Sequence, residues 1–114
     1  MRMQTEDIGG GVTKASLDGR LDIAGAQAID LPFNVLVGQK RAIVVDLSGV
    51  DFIASMGLRT LIMGAKTVAS KGGRIVLLSP SADVRKVLED SGTTAILKIH
   101  RDLAEAVAAV AAPR

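Results

Sequence analysis

Two aliphatic, β-branched runs, AIVVDL at 42–47 and RIVLLS at 74–79, constrain this 114-residue chain more than any other feature. Apolar residues without alternation suit strands covered on both faces, the pattern of a parallel sheet. Between them the period changes, because Leu58, Leu61, Ile62, Ala65, Val68 and Ala69 fall on one helical face. Lys71-Gly72-Gly73 supplies a left-handed stop for that helix. Pro80 is expected at the first position of a third helix, whose apolar side is Val84, Val87 and Leu88 and which closes at Ser91-Gly92. AILKI, 95–99, reads as a last short strand, and Asp102 as the cap of a helix through LAEAVAAVAA with inner face Leu103, Ala106, Val107 and Val110.

Upstream, 3–8 and 12–18 read as two strands joined at Gly9-Gly10-Gly11. These glycines are not a phosphate loop, since no Lys-Ser/Thr follows and no long apolar strand precedes. A helical spacing at Ala26, Ile29, Phe33 and Leu36 follows, with Pro32 expected to kink it or to start a new turn. The alternation predicts an α/β sandwich: a mixed, mostly parallel β-sheet of about five strands with about four helices. No linker or repeat divides residues 1–114, so one domain is expected.

Composition narrows the function classes. With 48% hydrophobic residues the chain can bury a core, yet Phe33 and Phe52 are its only aromatics, so stacking platforms for single-stranded nucleic acid are missing. Fourteen Lys and Arg against twelve Asp and Glu leave only +2, which implies no basic nucleic-acid patch. The absence of cysteine excludes thiol catalysis and Cys-ligated zinc and fits a reducing, cytoplasmic setting. No apolar run reaches membrane-spanning length, so no membrane insertion is expected.

Reactive side chains are sparse. His100 is the single histidine, expected as a surface or capping residue, and the scattered carboxylates have no metal-ligand spacing. IASMG is not a nucleophile elbow, because Ile53 stands at its first glycine position. Asp46 lies inside a strand pattern with no acidic pair before it, unlike a receiver domain's phosphoacceptor site. Neither catalysis nor a cofactor or metal is expected. Ser55, at the corner Ala54-Ser55-Met56-Gly57, has two readings. It is either a helix N-cap or a hydroxyl whose phosphate would sit against free helical N–H groups. Ala54 and Gly57, being small, would leave room for a partner.

VVDLSGVDFIASMGLRTLI, followed by KGGRIVLLSPSADVRKVLEDSGTTAIL, resembles the STAS domain of anti-sigma factor antagonists and of sulphate-transporter tails. SLDGRLD matches the family's L-x-G-x-L-D segment through Leu17, Gly19, Leu21 and Asp22. The family's phosphoacceptor pattern, D-S-S/T-G-L, falls here on Ala54, Ser55, Met56, Gly57 and Leu58. The resemblance implies a non-enzymatic antagonist that switches partners. Unphosphorylated, it binds an anti-sigma factor/serine kinase of the histidine-kinase-like ATPase fold; phosphorylated at Ser55, it is released, and a PP2C-like phosphatase restores it. Asp22, Ala54, Met56, Gly57 and Arg59 are the expected partner-binding residues. The alternative is a constitutive scaffold module in a stress-sensing or transport complex, with Ser55 only a cap.

Overall fold

The computed structural model describes residues 1–111. The chain runs β1 (Arg2–Asp7), β2 (Thr13–Leu21), α1 (Ile23–Gln39), β3 (Ala42–Ile53), α2 (Ser55–Ser70), β4 (Arg74–Leu78), α3 (Ala82–Asp90), a 3-10 turn (Thr93–Ala95), β5 (Ile99–His100) and α4 (Leu103–Ala111). One sheet contains the strands in the order β1-β2-β3-β4-β5, with β1 antiparallel to β2 and every other neighbour parallel. Its architecture is the expected α/β one, five mixed strands with four helices.

Alternation along the central strands assigns the layers. Ile43, Val45 and Leu47 of β3, with Ile75 and Leu77 of β4, pack into a core with Ile29 and Phe33 of α1, Leu61 and Val68 of α2 and Val84 and Leu88 of α3. Val44, Val76 and Leu78 face the other way, against Ala106 and Val110 of α4. Both faces are therefore apolar, as the unalternated sequence requires.

Several local expectations change. β3 does not stop at Leu47 but continues to Ile53. Its far half pairs with β2 through register shifts at Ser16/Asp18 and Gly19/Arg20, and Gly19 has φ +118° at the second. Sequence periodicity missed this because bulges break the two-residue repeat. AILKI is no continuous strand, since Ala95 closes the 3-10 turn, Ile96 is exposed and pairing starts only at Ile99. Pro80 precedes α3 instead of opening it; Ser81 is the N-cap, its Oγ accepting from Val84 N at 3.3 Å.

α1 runs through Pro32 as one helix, anchored on both sides of the proline by Ile29, Phe33, Leu36 and Val37. Leu103 and Ala69, expected inside, are exposed. Asp102 does meet the start of α4, accepting from Ala104 N at 3.1 Å, while Ala112, the expected end of that helix, lies outside the described residues.

Candidate functional site

Two helix starts lie side by side at one end of the sheet. Leu21, the last residue of β2, pairs with Ile53, the last of β3, and Ala54 N donates to Leu21 O at 3.1 Å. Asp22 then stands at the cap position of α1 and Ala54 at that of α2. The starts are built alike, each with a glycine as third helical residue. A Cβ on Gly25 would strike Arg20 O, and one on Gly57 would lie 2.5 Å from Leu21 O. Both first turns thus press directly onto the end of β2. Gly57 is buried, so its smallness serves this internal contact instead of leaving room for a partner.

The two starts differ in their caps. Asp22 Oδ1 accepts from Gly25 N at 2.8 Å, and Arg20 Nε lies 3.4 Å from Oδ2. Chiefly the Gly25 hydrogen bond, and after it Arg20, outweigh partial desolvation and hold the Asp22 carboxyl below its ordinary pKa. Ala54 has no side chain that can do this, and α2 has no side-chain cap. The helical ladder starts with Leu58 N to Ala54 O at 3.0 Å, which leaves the N–H groups of Ser55, Met56 and Gly57 without a helical acceptor.

Ser55 does not cap α2. It is the first helical residue, one place past the cap, and is exposed. This corrects the cap reading, because a capping oxygen must come from the non-helical residue before the first turn.

Around Ser55 the surface mixes apolar and cationic groups. Met56 is 41% exposed and borders a groove of about 300 Å³ between α1 and α2, with Ala26, Gln27, Asp30 and Thr60. Phe52, 39% exposed, carries the Arg20 guanidinium 4.3 Å from its ring centroid. Ile23, at the start of α1, is 61% exposed. Arg59 is exposed one turn beyond Ser55 on α2, while Ala54 is half-buried. Asp22, Ala54, Ser55, Met56 and Arg59 therefore share one end of the molecule. Arg20, Ile23 and Phe52 join them unforeseen: the β2–β3 register sets Arg20 beside Phe52, and Ile23 follows the Asp22 cap as the exposed first residue of α1.

Other candidates lie elsewhere. His100 is in β5 at the opposite sheet edge from β1, its Nδ1 4.0 Å from Glu105. Asp46 forms an ion pair with Lys14 at 3.6 Å and accepts from Ser48 N at 2.9 Å. Among the described residues, no helix is long and apolar enough to cross a membrane.

Comparison with known proteins agrees with this architecture. A Bordetella bronchiseptica protein, BtrV, named as an anti-sigma factor antagonist, is 33% identical over 107 residues, covering 91% of this chain and 92% of that protein. A Thermotoga maritima structure under the same description is 25% identical, with TM-score 0.85 over 95% of this chain and 93% of that one. The anti-sigma factor antagonist SpoIIAA in its unphosphorylated form is 24% identical, with TM-score 0.77 over 95% of both chains, a likeness of fold. The STAS domain model matches residues 4–106, and the chain belongs to the STAS domain family.

Proposed function

We infer that this chain is an anti-sigma factor antagonist that acts by partner switching, with Ser55 as its phosphorylated residue. The observation that carries this reading is the exposed hydroxyl at the first position of an uncapped helix. A phosphate there carries about −1.5 to −2 charge at neutral pH. Uncapped N–H groups and the positive end of the helix favour that charge in the free protein, and Arg59 lies one turn away to pair with it.

Binding reverses the balance. With Met56, Phe52 and Ile23 exposed nearby, a partner would bury Ser55 within a partly apolar contact. A neutral hydroxyl tolerates that burial, whereas a dianion must shed its water or meet a partner carboxylate. No rearrangement of the fold is needed. The unphosphorylated form would bind an anti-sigma factor with serine kinase activity, of the histidine-kinase-like ATPase fold, and displace its sigma factor; a PP2C-like phosphatase would reset the cycle. BtrV, an anti-sigma factor antagonist by name, supports the antagonist role, and SpoIIAA, which shares the fold, has been solved in a phosphorylated form at 22% identity.

The rival reading is a constitutive adaptor using the same surface. Its Ser55 would have no capping role, because Ala54 occupies the cap position. Titrating the partner ATPase with wild type, Ser55→Ala and Ser55→Asp separates the two. Partner switching expects the first two to bind alike and the third to lose at least about tenfold, equivalent to ~1.4 kcal/mol. Equal affinity of all three would leave only the adaptor.

A further inference from the structure

We propose that two copies of this chain join edge to edge through β1, forming a continuous ten-stranded sheet across a two-fold axis at Gln4. β1 is the outer strand of the sheet, six residues long, and among the described residues no strand lies on its free side. Such an edge presents unpaired backbone donors and acceptors, which another strand can satisfy. What selects a second copy is the order of residues along this edge.

Met3 packs against the core that contains α1, so alternation turns Arg2, Gln4 and Glu6 toward the opposite face. In a two-fold antiparallel pair, directly opposed residues must share a face. With Gln4 opposite its own copy, Arg2 faces Glu6 of the second copy, and Glu6 faces its Arg2. Met3 and Thr5 then oppose one another on the helix side. A shift of two residues toward either end of β1 opposes Arg2 to Gln4 or Gln4 to Glu6, with no opposite charges. A shift of four opposes Arg2 to Arg2 or Glu6 to Glu6. One same-face register alone therefore matches opposite charges, twice, by symmetry. Among the described residues, neither Arg2 nor Glu6 has an ion pair within its own chain.

The helix side supplies apolar area. Leu31 is 73% and Val35 47% exposed, and both line a groove of about 420 Å³ between α1 and β1 with Met3, Thr5 and Pro32. α1 contacts both β1 and β2, so in the paired sheet the two α1 helices would lie roughly two to three strand spacings apart, about 10–14 Å. The shorter end of that range is helix-packing distance, at which Leu31 and Val35 of each copy meet. Because the two sheets run antiparallel, their Ser55 corners point in opposite directions and both stay open to a partner.

Sedimentation equilibrium over a concentration series tests this with wild type, Arg2→Glu, Glu6→Arg and the double variant, each checked for unchanged circular dichroism. Wild type should approach twice the monomer mass. Either single change should raise the dimer dissociation constant by about tenfold or more, because two attractive pairs become two repulsive ones. The double variant should recover association, since each pair is merely exchanged. Leu31→Glu should also weaken it. A wild type that stays monomeric throughout, single variants that associate like wild type, or a double variant that remains monomeric would each overturn the proposal. None of these outcomes bears on Ser55, so the antagonist reading stands or falls separately.

Discussion

At Ser55 the backbone enters α2 with its first N–H groups uncapped, so the residue before it decides as much as the serine. Ala54→Asp should raise stability by about 1 kcal/mol, read from denaturant midpoints, by supplying the missing cap. Ser55→Ala should leave stability within about 0.5 kcal/mol, since an exposed hydroxyl that caps nothing is being removed. Ser55→Asp should stabilise the free protein by ~0.3–1 kcal/mol through the helix dipole while weakening partner binding, two opposite effects of one charge. Asp22 adds a pH dependence. Its pKa is lowered on folding, so the charged cap stabilises above the ordinary carboxylate range and loses that effect as pH falls through the folded value. Asp22→Ala should therefore lower the melting temperature at neutral pH, and the gap from wild type should close in acid.

At the scale of elements, α1 and α2 start by one plan, Asp22-x-x-Gly25 and Ala54-x-x-Gly57, each pressing a glycine onto the end of β2. Gly57→Ala should cost about 1–3 kcal/mol, because the new methyl meets Leu21 O at 2.5 Å and backbone must move. Thermal or urea unfolding reads that loss. Strands were legible in the sequence where apolar runs were continuous, as at Ile43–Val45, and helical faces where the helical period was unbroken, as at Leu61–Val68. Arg20 and Phe52 were not, because they meet only through a bulged register that shifts twice between Ser16 and Arg20. The role of Gly57 is hidden for a related reason: a glycine's neighbours across space, here Leu21, leave no local trace. The sequence does not tell whether Ser55 is a cap or the first helical residue, since only backbone geometry separates the two positions.

For the whole molecule, the sheet places the Ser55 corner at the end where β2 and β3 outrun β4. β3 runs beyond the end of β4, so the β2–β3 ends carry both helix starts as a rigid projection backed by the core at Val50 and Ile53. Under the proposed function, a phosphate on Ser55 would act by charge alone, with no rearrangement of the fold. The most direct test is intact mass after incubation with the partner ATPase and ATP, for wild type and Ser55→Ala, with binding of each product measured in parallel. The account predicts one phosphate added to wild type, none to Ser55→Ala, and loss of binding only in the phosphorylated protein. A phosphate that persists in Ser55→Ala, or a phosphorylated wild type that binds as tightly as before, would contradict it.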